Sequence, residues 1–328
     1  MKNYAVKRYQ EEDCANWNAF VSQAKNATFL FHRDFMDYHK DRFDDYSLMV
    51  FEGENLVAVL PANRVEDCVY SHQGLTYGGL VYGEKLKLAS VILVFKALLF
   101  YLNENEIAKI QLKTLPSIYH QKPAEELNYA LFLAEAQLIR RDTLAVIDLS
   151  KPFYFSKIRK RGIQKGMNNG LIIKEECCFK SFWSQVLVPN LESKHNAEPV
   201  HTIDEIQFLK RHFENAIRQF NVYFNGQIVA GTTVFESENV AHCQYISKFE
   251  KQEDLGSLDF LYDHLIKNVF ADKRYFDFGI SNENQGKKLN EGLSYWKESF
   301  GASIIAHDFY EVETSNFSKL DTVLISNE

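Results

Sequence analysis

The sequence is poor in the residues that announce metal, disulfide or membrane chemistry. Its five cysteines, at 14, 68, 177, 178 and 243, are odd in number and form no CxxC pair, which predicts free thiols and excludes a disulfide framework. Ten histidines are scattered without HxxxH or HExxH spacing, so no metal site is expected. Six prolines leave no room for long Pro-rich linkers. The longest apolar run, residues 89–102, is interrupted by Ser90 and Lys96. It falls short of the roughly 20 residues that span a bilayer, so it predicts a core helix and no transmembrane segment. The opening residues, MKNYAVKR, lack the apolar stretch of a signal peptide, and a cytoplasmic location is expected. Basic residues are in the minority, 37 Lys plus Arg against 44 Asp plus Glu, for a net charge of −7. That excludes the extended basic face a DNA-wrapping protein needs, while leaving room for a local basic patch.

What is abundant is core material. Hydrophobic residues make up 46% of the 328, with 26 Phe and 17 Tyr, the composition of a globular chain. The length predicts two domains, 1–152 and 153–328. Residues 48–62 and 220–234 share a plan of strand, Gly-containing turn and strand, each with a Val-Ala pair at the same offset. Asn225-Gly226 is a type I′ hairpin signal, and the two segments together suggest an internal duplication. Residues 157–165 carry Lys157, Arg159, Lys160, Arg161 and Lys165 on a predicted helix that ends near Gly170, a charge run whose ordinary fate is a solvated face. Thr202 and Glu205 form a capping box, and Leu258, Leu261, Leu265, Ile266 and Val269 make the apolar face of a helix that begins after Gly256-Ser257.

The densest segment is 275–302. Tyr275–Ile280 alternates as a buried strand, with Phe276, Phe278 and Ile280 on one face and Asp277 and Gly279 on the other. A donor-rich loop, residues 281–290, follows. In the next helix Leu293, Trp296 and Phe300 form one apolar seam, and Gly301 stands where a left-handed cap would end it. Lys297 lies beside that seam, as a desolvated, positioned ammonium or as a snorkelling surface lysine.

The element order of the second half resembles the GNAT acyltransferase fold. FDFGI at 276–280 followed by GLSYWKESFG at 292–301 is similar to the closing signature of FemAB-like proteins, which are tandem GNAT domains. IRKRGIQKGMNNGLII at 158–173 is similar to the segment that opens that family's second domain. The resemblance covers most of the chain and is strongest between about 155 and 302. It implies an α/β fold of two GNAT-like domains, each a mixed, mostly antiparallel sheet flanked by helices, with the C-terminal strand free to pair in either domain. It also implies transfer of an acyl or aminoacyl group from acyl-CoA or aminoacyl-tRNA to an amine, such as that of a cell-envelope precursor, an amino sugar or another small molecule. The donor acts as a substrate, and no tightly bound cofactor is expected.

Carried over residue by residue, the resemblance places Lys297 and the carbonyl of Trp296 at the reaction. Trp stands where the family has Phe. Asp277, His242 and Tyr245 are the candidate base or acceptor-positioning groups, each equally readable as an ion-pairing acid, a core histidine and a packing aromatic. Gly279, Ser281, Asn282, Asn284 and Asn290 are candidate substrate contacts, with Arg33, His72 and Tyr77 from two polar clusters of the first half for the acceptor. Backbone amides at Gly256 and Ser257 are candidates for the donor's phosphate. Two departures leave the donor open. No segment supplies the helical arm associated with tRNA, which disfavours tRNA without excluding it, and residues 250–257 carry three acids where CoA-dependent enzymes have a phosphate-binding loop. The competing reading is a catalytically inert tandem-domain binding or scaffold protein.

Overall fold

The structure is a computed structural model that describes residues 3–249 and 254–325. Residues 250–253 of the expected donor loop lie outside the described residues. The chain divides into two compact units. One comprises Met1–Asp142, Gln285–Lys287 and Ala306–Glu328, and the other Thr143–Asn284 and Lys288–Ile305. The division thus falls about ten residues before the expected boundary, and the end of the chain returns to the first unit. There Phe309 to Glu313 pair antiparallel with Lys113 to Lys109.

In the first unit, Tyr4–Arg8, Leu48–Glu52, Asn55–Leu60 and Val81–Tyr82 form one antiparallel sheet. Asp44–Asp45, Asn63–Val65 and Cys68–Tyr70 pair in sequence, and Cys68–Tyr70 then runs parallel to Lys109–Lys113. The apolar run becomes the helix Leu88–Glu104. It buries Val91, Val94, Phe95, Leu98, Leu99 and Leu102 in one core with Leu48, Val50 and Leu60. Each such side chain contributes about 1.5–3 kcal/mol by leaving water. Among the described residues no helix is long and apolar enough to cross a membrane.

The second unit is a sheet in the order Ile172–Glu176, Ile217–Phe224, Gln227–Glu236, Val240–Lys248, Tyr275–Ile280 and residues 144–148. Asn225 and Gly226 have φ of +50° and +78°, the two positive values a type I′ turn requires. All pairings are antiparallel except one. Val240–Lys248 and Tyr275–Ile280 run parallel from Val240↔Tyr275 to His242↔Asp277, where their pairing stops. Phe276 and Phe278 face a cluster with Tyr262 and Phe300, with Tyr262 and Phe278 ring centroids 5.1 Å apart. The capping box at Thr202 and Glu205 is formed.

Ser156 caps the basic helix Lys157–Asn168 by accepting from the Arg159 amide. This helix packs on Ser257–His264 through Gly162, where a Cβ would overlap the Asp259 carboxylate. Arg159 is paired with that same carboxylate. The charge run is therefore only partly a solvated face.

Candidate functional site

The strand alternation expected for Tyr275–Ile280 breaks at Gly279. With φ at +73°, in the left-handed region that favours glycine, the chain turns there, and Ile280 is left 37% exposed where a core position was expected. The turn has a chemical consequence. In a regular strand successive carbonyls point to opposite sides, whereas here those of Gly279 and Ile280 both accept from the Lys297 ammonium, at 3.1 and 2.5 Å.

Lys297 sits on the helix Glu291–Glu298 and is 3% exposed, which resolves its two readings against a snorkelling surface lysine. Burial lowers its pKa to about 8, with Asp277 pulling in the opposite direction. Near pH 7 the group is still mainly an ammonium, held by two carbonyl dipoles and with a third N–H to offer. The Trp296 carbonyl accepts from the Ser299 hydroxyl at 2.6 Å.

Asp277 is fully buried. One carboxylate oxygen accepts the Gly279 amide at 2.7 Å, and the other lies 2.9 Å from His242 Nδ1. An Nδ1–H directed at a carboxylate leaves the ring's lone pair on Nε2, the arrangement of an oriented base. His242 and Asp277 are the last parallel pair before the two strands part, so the sheet itself holds this dyad in register.

A cleft of about 600 Å³ opens in the same unit between the basic helix, the end of Val240–Lys248 and the start of Ser257–His264. Arg161, Lys165 and Lys248 bring positive charge to it, Gly256 and Ser257 form one wall, and Leu293 and Trp296 form another. Gly256 is the left-handed N-cap, with φ of +71°, and its amide donates to Asp254 at 3.3 Å. Burial raises the Asp259 pKa against the pull of Arg159. The close helix contact that shapes this cleft escaped the sequence reading, although Gly162-x-x-x-Gly166 is the small-residue spacing that permits it.

The remaining candidates have other surroundings. Tyr245 lies 2.6 Å from His201 Nδ1 and packs edge-on to Trp183, a cluster separate from the dyad. Asn282 accepts from the amide and hydroxyl of Thr143, Asn290 caps the Lys297 helix, and Asn284 occupies a turn at φ +48°. Much of the donor-rich loop is thus a short hairpin, Asn282–Glu283 on Lys288–Leu289. Ser281 is the exception, buried with its hydroxyl unpartnered.

In the first unit, the Arg33 guanidinium is buried against Asp37 and Asp45 and stacks 4.0 Å from the Tyr9 ring. It serves internal carboxylates, and no charge is left over to grip an acceptor. Tyr77 donates to Thr28 at 2.9 Å and stacks on Tyr119 as a packing residue. His72 lines a second cleft. Among the described residues no group of three or more His, Cys, Asp or Glu side chains could hold a metal.

No family profile matches the sequence, and no curated protein is significantly similar to it. Solved structures do match. FemX is similar over 97% of this chain and 99% of its own, with a TM-score of 0.66 at 10% identity. The C-terminal domain of a putative lysylphosphatidylglycerol synthetase from Agrobacterium fabrum is similar over 94% of this chain and 93% of its own, with a TM-score of 0.61 at 12% identity. L-PGS from Bacillus licheniformis covers 88% of this chain and 94% of its own, with a TM-score of 0.58 at 12% identity. At such identities the likeness speaks for the fold alone, and the chain has a FemAB-like, GNAT-type fold.

Proposed function

We propose that the protein is an N-acyltransferase whose reaction takes place at Lys297, Asp277 and His242. The observation that carries this reading is the Lys297 ammonium, desolvated yet clamped by the Gly279 and Ile280 carbonyls beside a histidine–aspartate dyad. A structural lysine gains nothing from such a position, because burying a charge is unfavourable unless the group is used or fully paired.

In the proposed reaction the acceptor amine attacks the donor's acyl carbon, forming the N–C bond. The tetrahedral oxyanion that results is stabilised by the spare N–H of Lys297, the kind of interaction that strengthens as charge develops. His242 Nε2 takes the amine proton, and Asp277 stabilises the imidazolium. Collapse breaks the bond to the leaving oxygen or sulfur, which receives the proton.

Arg161 and Lys248 on the wall of the 600 Å³ cleft support a phosphate-bearing donor, acyl-CoA or aminoacyl-tRNA, while Lys165 already lies 3.9 Å from Asp254. The proposed acceptor is the amine of a cell-envelope precursor or amino sugar. Support for an envelope acceptor comes from the fold shared with a protein named as a lysylphosphatidylglycerol synthetase.

The full chain, incubated with an amine panel and either acetyl-CoA or aminoacyl-tRNA, should form an N-acyl product detectable by mass. Thermal stabilisation by CoA and not by tRNA identifies the donor. If a product forms and Lys297→Met makes it at the wild-type rate, the assignment of Lys297 is wrong.

A further inference from the structure

The first unit contains a cleft of about 500 Å³ that the proposed transfer does not use. The chain enters it where Cys68–Tyr70 ends and His72 adopts φ of +56°, an unusual conformation for a residue with a Cβ. His72 is 4% exposed, and its Nδ1 has no hydrogen-bond partner. Behind it, the ring of His39 lies 5.1 Å away with both nitrogens unpartnered, and a Cβ on Gly74 would overlap that ring. Burial keeps both imidazoles neutral, holding the pKa of His39 at about 4 and that of His72 at about 3. Buried polar atoms are ordinarily satisfied, so an unpartnered nitrogen on a residue that lines a cleft marks a place for a ligand atom.

The charges on the cleft wall do not cancel. Arg140 is chelated by Asp142 through Nε and Nη2, and its guanidinium lies 4.4 Å from the centre of the Phe309 ring. Lys113 donates to the Leu75 carbonyl and has no carboxylate partner among the described residues. Burial and the nearby Arg140 lower its pKa to about 8. With Arg140 and Asp142 neutralising each other, one positive charge remains. A dianionic phosphate would bring excess negative charge into this half-enclosed site, whereas a single carboxylate matches it.

We propose that this cleft binds an organic monocarboxylate, its carboxylate on Lys113, its carbon skeleton against Ile139 and Phe309, and an adjacent hydroxyl or amide on His72 Nδ1. The carboxylate belongs either to a free hydroxy acid, to a uronic acid or to an acylated amino acid, and the three are separable by experiment.

Calorimetric titration of the full chain at pH 7 with lactate, glucuronate and N-acetylalanine, with inorganic phosphate as the contrast, tests the site. At least one carboxylate should bind with a submillimolar Kd, at least tenfold tighter than phosphate, and the tightest names the source. Lys113→Met should weaken that binding at least tenfold. Because a variant at Lys113 can perturb folding, Ile139→Asp serves as the second. It starts from a 40% exposed position, should leave the thermal midpoint unchanged, and should weaken binding at least tenfold by opposing the carboxylate. Absence of carboxylate binding, phosphate binding as tight as any carboxylate, or unchanged affinity in both variants would overturn the proposal.

Discussion

Lys297 and Gly279 are bound to each other by more than a hydrogen bond: the lysine's ammonium is held 3.1 Å from the carbonyl of the glycine whose left-handed φ of +73° breaks the strand. Remove the strand break and the next carbonyl, that of Ile280, turns away from the ammonium. The buried charge and the backbone irregularity are one device.

Replacing Lys297 with Met keeps the buried stem and removes the donor. Turnover should fall by about 10²–10³, the loss typical of removing one oxyanion donor, with KM little changed. Steady-state kinetics on a variant with a wild-type unfolding profile decides this; a loss confined to KM would assign Lys297 to ground-state binding.

The same lysine predicts two pH dependences. Its folded pKa of about 8 lies below its ordinary 10.5, so the unfolded chain binds more protons between those values, and this group makes the protein more stable as pH rises through that window. Lys113 acts in the same direction, so the comparison must be between wild type and Lys297→Met: the variant's stability advantage should be largest below pH 8 and shrink towards pH 10.5. Activity runs the other way, falling as the ammonium deprotonates above about pH 8. Denaturant titrations and rate profiles from pH 7 to 10.5 measure both.

Gly279→Ala forces a Cβ into a left-handed position, 3.4 Å from His242 Cε1. A loss of about 1–2 kcal/mol in urea unfolding is expected, with a drop in turnover larger than the stability loss explains. Full activity in this variant would show that the strand break is dispensable.

His242→Gln and Asp277→Asn should each lower turnover by about 10²–10⁴, as loss of a general base or of its orienting partner does. Because they act as one unit, the double variant should be little worse than either single one. Additive losses would separate the two residues into independent roles.

Gly162→Ala places a methyl on the Asp259 carboxylate, so it should part the two helices and break the Arg159–Asp259 pair. The expected result is a raised KM for the donor and a loss of about 1–3 kcal/mol in stability, by overpacking. An unchanged KM would detach the cleft from donor binding.

Much of the architecture was legible in the chain because it rests on local rules. Asn225-Gly226 specifies its own turn, Thr202 and Glu205 cap their own helix, Gly301 takes the left-handed conformation at φ +91°, and the apolar run 89–102 forms a helix that buries one face in a core. The resemblance carried by residues 276–280 and 292–301 led to the fold and to Lys297. Tertiary structure decided which candidates meet. Alternation placed Asp277 opposite the phenylalanines, but only the parallel register with Val240–Lys248 brings it to His242, because pairing between strands 35 residues apart is set by the whole sheet. Spacing left Lys297 between a buried and a snorkelling state, a choice made by the carbonyls that a neighbouring strand's turn offers it. Arg33 stood as an acceptor contact until folding brought Asp45 to it, and only the sheet sets Lys113 beside His72 of the polar cluster at 71–79. Sequence determined the elements and their chemistry; the juxtaposition of charges distant along the chain, and with it burial and protonation, belonged to the fold.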